Sequence, residues 1–168
     1  MTDILSPTER SERMSRVRGH DTKPEILFRK ALWYEGLRYR LRYKLFGRPD
    51  IVFPGPKVAV FVDGCFWHGC PEHYRPPKTR TDWWKKKIAG NRKRDLEVTQ
   101  HLEDEEWKVL RFWTHDLKGD HLSACVKSIK TTIRSPRQDP RSQDLAPPIL
   151  QEEALNPRGT HVRNDRAF

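Results

Sequence analysis

The chain has 168 residues, 33 of them Lys or Arg against 23 Asp or Glu, for a formal charge of +10. That length holds one core of roughly 100–150 residues and excludes two large domains. No apolar run approaches the ~20 residues of a membrane helix, and the first residues lack the basic and apolar blocks of a signal peptide. Three cysteines (Cys65, Cys70, Cys125) are too few for a secreted disulfide scaffold, so a soluble, cytoplasmic protein without a membrane partner is expected.

Caps and periodicity give the elements in chain order. Ser6-Pro7-Thr8-Glu9 has the form of a capping box with proline at the first helical position, which predicts a short basic helix to about Arg18 in an N-terminal arm over residues 1–20. Thr22-Lys23-Pro24-Glu25 repeats the signal, and Ile26, Leu27, Ala31 and Tyr34 follow at helical spacing until Gly36. Leu37–Leu45 alternates leucine or tyrosine with basic residues and reads as a strand with one basic face. Asp50–Phe53 and Val58–Val62 are short apolar strands around a Pro54-Gly55-Pro56 turn. A long helix from about Thr81 to Glu105, a strand over Lys108–Trp113 and a closing helix over Asp116–Ile133 complete a mixed α/β order, a small sheet covered by helices. The core domain is expected over residues 1–134. From Ser135 onward, five of the 13 prolines, a single aromatic residue and five arginines balanced by five acids predict a disordered tail over 135–168.

The tail is neutral, so the +10 lies on the core. Arg75–Arg94 carries nine basic residues against the single acid Asp82, interleaved with Trp83 and Trp84. Charge runs are most often solvated faces, but lysines and arginines that hold phosphate beside rings that stack on bases point to nucleic acid. Trp84, Lys85, Lys86, Lys87 and Arg92 are the contact residues expected from this stretch.

Asp50, at the mouth of one strand, and Asp63, twelve intervening residues later at the end of the next, form the kind of carboxylate pair with which a small sheet builds a Mg²⁺ site. The alternative is a pair of turn acids. Cys65, Cys70 and His73 stand at C-x4-C-x2-H spacing, three nitrogen or sulfur ligands within nine residues, which suits tetrahedral Zn²⁺. The fourth ligand must come from elsewhere: His115 is the first candidate, with His68, His121 and Cys125 as rivals. Asp95 shares the inward stripe of Ile88 and Leu102, so its carboxylate requires a partner: His68, a water on the metal, Arg92 or Lys93.

Gly47-Arg48-Pro49-Asp50, the run from Val60 through Asp63-Gly64-Cys65-Phe66-Trp67-His68-Gly69-Cys70 to Pro71, and Asn91-Arg92-Lys93-Arg94-Asp95 resemble the very short patch repair (Vsr) DNA mismatch endonuclease family. The likeness covers about residues 8–120. It implies a PD-(D/E)XK nuclease fold and nicking of one strand of double-stranded DNA, 5′ of the thymine in a T:G mismatch left by deamination of 5-methylcytosine. The expected cofactors are catalytic Mg²⁺ and structural Zn²⁺. Such a protein would work as a monomer at the nucleoid, with mismatch-repair proteins as further partners.

By position, the resemblance makes Asp50 the Mg²⁺ carboxylate, the backbone carbonyl of Val62 a further ligand and His68 the general base, which gives His115 the fourth zinc position. It also makes Glu25, which a capping box explains locally, a functional carboxylate near the metal, and Phe66 and Trp67 wedges into the duplex. Two departures from the family pattern stand out. Cys65 occupies the position of the usual lysine, whose function then falls to His68, and Asp63 replaces a histidine found in some members and is expected to ligate the metal directly. Two rivals are a same-fold nickase of restriction or phage defence and a zinc-stapled DNA-binding module; the latter leaves Asp50, Asp63, His68 and Asp95 without a reason.

Overall fold

The protein is described by a computed structural model over residues 6–16 and 19–135. Part of the expected N-terminal arm, and the expected tail beyond Ser135, lie outside the described residues. Helix α1 spans Pro7–Ser15 and opens on the expected capping box: Glu9 N donates to Ser6 Oγ at 3.2 Å and Ser6 N donates to Glu9 Oε2 at 2.8 Å. It ends at Ser15, short of Arg18. Helix α2 spans Lys23–Tyr34, and here the expected buried face is corrected. Glu25, Phe28 and Leu32 point inward, whereas Ile26, Leu27 and Tyr34 are exposed. Positions 25, 28 and 32 form one stripe at the 3.6-residue period, and the larger Phe28 ring claims the core, meeting Phe112 edge to face at 5.5 Å.

Three strands form the sheet, in the order β1 (Ile51–Phe53), β2 (Val58–Asp63), β3 (Lys108–Trp113), with β1 antiparallel and β3 parallel to β2. The expected strand over Leu37–Leu45 is absent. Only a bridge between Arg40 and Val52 forms, because β1 offers a three-residue edge and Arg42 turns into the left-handed region at φ 51°. Helix α3 covers Thr81–Asp104, and α4 covers Gly119–Arg134, starting three residues later than expected because Asp116 is used in a turn that accepts from Trp113 N at 3.1 Å.

The alternation of β2 divides the interior. Val58, Val60 and Val62 face α2 and α4, where Phe28, Leu32, Leu117 and Ile129 are fully buried. Ala59 and Phe61 face α3, packing on Val98 and Leu102. Each fully buried side chain of this size contributes about 1.5–3 kcal/mol relative to exposure. The same alternation sends the Asp63 side chain to the α3 side, opposite to Val62. The small mixed sheet flanked by helices is therefore the architecture the sequence predicts, with one strand fewer.

Candidate active site and metal centre

Two sets of functional side chains meet at the end of β2. On the α2 side, Asp50 N donates to Val60 O at 3.0 Å, the register that starts β1, and Asp50 Oδ2 accepts from Val62 N at 2.7 Å. Burial, with the charges of Glu25 and Asp63 adding to it, pushes the Asp50 carboxyl up to about 6, against the lowering effect of the Val62 N–H and Arg29. Glu25 is itself buried and accepts from Thr22 Oγ1 at 2.7 Å, Asp21 N at 2.9 Å and Arg29 Nη2 at 3.0 Å. The capping box expected here does not form: the Thr22 side chain caps no helix N–H and instead donates to Glu25, which takes the N–H of Asp21. Glu25 also lines a cleft of about 410 Å³ together with Met14, Val62, Gly64, Trp67 and His68. A carboxylate held in poor solvent beside a second acid is a place where a hard cation relieves repulsion.

On the α3 side, Asp63, His68, Asp95 and Arg111 form one network. His68 Nδ1 lies 2.6 Å from Asp95 Oδ2 and 3.6 Å from Asp63 Oδ1. Arg111 bridges the two acids: Nε to Asp63 Oδ2 at 2.8 Å, and Nη2 to Asp63 Oδ1 at 2.7 Å and to Asp95 Oδ1 at 2.9 Å. Carboxylate oxygens only accept, so Nδ1 is the donor in this contact and Nε2 is the ring nitrogen left outside it. One donor atom each from Asp63, His68 and Asp95 lies within 4.8 Å of the others, yet the guanidinium fork already supplies the cation there. Asp63, expected as a Mg²⁺ ligand, thus has both oxygens engaged by Arg111. Asp95 pairs with His68 and Arg111, while Arg92 donates to the carbonyls of His68 and Gly69.

Sequence reasoning missed Arg111. The available signal was its place in β3 beside Phe61, on the face that alternation assigns to α3, where an arginine requires an acid. Asn91 stands within the family motif without an expected role; it is buried on α3 and fixes the loop by donating to Trp67 O at 2.7 Å.

The loop after β2 folds on short local bonds: His68 N to Gly64 O at 3.1 Å and Cys70 N to Cys65 O at 2.8 Å. Gly69 has φ 65°, and a Cβ there would sit 2.7 Å from Ile88 Cγ2, so α3 packs directly on this backbone. The turn gathers Cys65, Cys70, His73 and His115, whose donor atoms lie within 4.8 Å of one another. His115 Nδ1 is 3.2 Å from Cys65 Sγ and 3.7 Å from Cys70 Sγ, and His73 Nδ1 is 3.6 Å from Cys70 Sγ. Tetrahedral metal bonds of roughly 2.3 Å to sulfur and 2.0–2.1 Å to nitrogen separate such atoms by about 3.5 Å, so the donor set fits. His115 Nε2 faces Asp116 Oδ1 at 3.2 Å, an outer carboxylate of the kind that orients a ligating imidazole. Of the rivals for the fourth position, His68 is held by Asp95, His121 is exposed, and the Cys125 thiol, raised by burial, packs in the α2/α4 core.

Residues 2–73 match the family model described as DNA mismatch endonuclease Vsr. The type II nicking enzyme V.NaeI of Lentzea aerocolonigenes is 44% identical over 126 residues, 71% of this chain and 76% of its own length. The type II nicking enzyme V.NmeDIP of Neisseria meningitidis serogroup C is 42% identical over 135 residues, 79% of this chain and 90% of its own. The DNA mismatch endonuclease Vsr of Escherichia coli K12 is 34% identical over 121 residues, 71% and 78% respectively. The chain belongs to the Vsr family.

As a Vsr-family DNA endonuclease it must meet a polyanion, and its surface bears on how. Phe66, Trp67, Tyr74 and Trp84 form one aromatic cluster, with Phe66 centred 5.2 Å from Trp67 and 5.0 Å from Trp84, and Trp67 6.0 Å from Trp84. The half-buried Phe66 and Trp67 rings sit on the same loop as His68. Lys85, Lys86 and Lys87 are exposed along α3. Arg92 is spent on the loop carbonyls, which makes it a brace for the Vsr motif. Among the described residues, no helix is long and apolar enough to cross a membrane.

Proposed function

We propose that this Vsr-family endonuclease nicks one strand of duplex DNA 5′ of the thymine in a T:G mismatch, through a PD-(D/E)XK-type site carried on residues 1–134. The observation that carries this reading is the cleft in which Glu25, Val62 and His68 meet, with Asp50 hydrogen-bonded to the Val62 backbone. Asp50 and the Val62 carbonyl would hold Mg²⁺, with Glu25 beside them, since hard oxygen donors suit that ion. When bound, magnesium supplies positive charge to the scissile phosphate. Asp95 fixes the His68 tautomer, so that Nε2 is the atom that takes a proton from attacking water. Arg111 bridges Asp63 and Asp95, and Asp63 acts as a positioning group in place of the metal ligand expected from sequence. Cys65, Cys70, His73 and His115 would hold a structural Zn²⁺ that fixes the loop carrying His68.

Recognition falls to the aromatic loop. Rings held against one another can wedge into a duplex where unstacking costs least, and a mismatch is such a step. Stacking returns ~1–3 kcal/mol per ring. Trp67→Ala is therefore expected to weaken binding to T:G duplex roughly tenfold or more, about 1.4 kcal/mol per decade, while binding to paired duplex, which rests on phosphates, changes little. Paired titrations at one salt concentration, with melting of the variant checked, read the effect. Equal losses on both duplexes would assign Trp67 to loop support instead.

A second reading is favoured by the relatives named as type II nicking enzymes. In it, the same site nicks DNA within a restriction or defence system without strict mismatch choice.

A further inference from the structure

The basic segment before Asp50 remains without a role. Residues 37–49 contain Arg38, Arg40, Arg42, Lys44 and Arg48 and no acid. Apart from the single Arg40 bridge the segment is a loop, and it forms one wall of a groove of about 990 Å³ that runs to Glu25, Arg29 and Asp50. We infer that Arg42, Lys44 and Arg48 form a phosphate clamp that seats the DNA backbone in the groove leading to Asp50.

Three observations converge on this. The first is charge without partners. The Arg42 side chain is 83% exposed and has only Asp21 at 3.6 Å, and among the described residues Lys44 and Arg48 make no ion pair. An exposed pair such as Arg42 with Asp21 contributes little, so the three cations are available to an outside anion.

The second is rigidity. Tyr43 packs on Trp107 at 6.2 Å and Phe46 on His101 at 4.3 Å, which pins the loop to the end of α3. Gly47 at φ 74° approaches Val98 so closely that a Cβ would lie 2.2 Å from its Cγ1. Arg42 and Arg48 both hold left-handed backbone, at φ 51° and 55°, a conformation that costs a non-glycine residue energy and gathers at functional loops. A loop backbone fixed before binding need not be ordered when a phosphate arrives.

The third is continuity. Arg42, Lys44 and Arg48 line the groove, with Asp21 beside Arg42, and the lining turns acidic at Asp50 and Glu25. A polyanion follows such a wall as far as the carboxylates, where a bound cation must take over the neutralisation. An acidic peptide would also meet cations here, but only a phosphodiester chain needs to continue into the nuclease centre. The clamp therefore rests on the proposed DNA-nicking reading.

The test uses the full chain and a fully paired duplex in magnesium-free buffer, with affinity measured over a range of salt concentrations. Each phosphate contact contributes about 0.9 to the slope of log K against log salt, so the triple variant Arg42→Ala, Lys44→Ala, Arg48→Ala should lower that slope by roughly 2–3. Its melting should be unchanged. A control triple that removes equal charge from α4 and its entry, Lys118→Ala, Lys127→Ala, Arg134→Ala, should leave the slope as in the wild type. An unchanged slope in the first variant, or an equal drop in both, overturns the clamp. Nicking of a T:G duplex by the wild type in Mg²⁺ is read in parallel: a reduced slope without any nicking there would count against the proposed reaction and leave the clamp standing. An unchanged slope with nicking intact would count against the clamp alone.

Discussion

Asp50→Asn is expected to abolish nicking and at the same time to stabilise the magnesium-free protein near neutral pH. Both effects have one origin. The Asp50 carboxyl titrates near 6 in the folded chain against an ordinary 3.8, because burial and the charges of Glu25 and Asp63 disfavour its anion. For a group raised on folding, the stabilising contribution is complete below pH 4 and is lost as pH rises through 6. A shift of about two units at 1.36 kcal/mol each sets a ceiling of about 3 kcal/mol on that loss. Asparagine keeps an oxygen for the Val62 N–H, carries no charge to bury, and removes the anion a cation would need. The variant should therefore melt several degrees above the wild type at pH 7.5 and close to it at pH 4. Thermal melts at the two pH values, in magnesium-free buffer without chelator so that any zinc stays in place, read this directly. Nicking retained by Asp50→Asn would remove Asp50 from the metal site.

His115→Ala is expected to release the structural metal. Wild-type protein should carry about one zinc per chain by metal analysis, and the variant much less, with a loss of stability of several kcal/mol because a closed zinc site contributes folding energy outright. The effect should be large because no residue of the loop from Gly64 to Tyr74 belongs to either buried core cluster, and the Cys65, Cys70, His73 and His115 quartet ties that loop to His115 beyond β3. Cys125→Ser should keep its zinc, since that thiol lies in the α2/α4 core. Full zinc content and unchanged melting in His115→Ala would refute the assignment.

Residues that signal through local spacing were the ones legible in the sequence. Cys65, Cys70 and His73 are close along the chain, so their convergence required only a turn. Asp95 shares a helical stripe with Ile88 and Leu102, which put its carboxylate against the sheet before its partner was known. Long-range partners left no such trace. Arg111 meets Asp63 and Asp95 only because β3 pairs in parallel with β2 in a register that sets Arg111 beside Phe61, and that register is a property of the assembled sheet. Periodicity also misled in two places. Leu37–Leu45 alternates like a strand, but a strand of that length cannot pair along the three residues of β1, and only the Arg40–Val52 bridge forms. The apolar residues Ile26, Leu27 and Tyr34 outline one face of α2, whereas Phe28 and Leu32, with the polar Glu25, are the ones buried.

The central claim is mismatch-dependent nicking at the site built on Asp50 and His68, and single-turnover cleavage of an end-labelled duplex tests it most directly. Two duplexes that differ only in T:G against T:A are incubated with the full chain, with and without Mg²⁺, and the products are resolved at single-nucleotide length. The expected result is one cut in one strand, immediately 5′ of the mispaired thymine, in the T:G duplex with Mg²⁺ and nowhere else. Equal nicking of the T:A duplex, or cutting that persists without Mg²⁺, would contradict it.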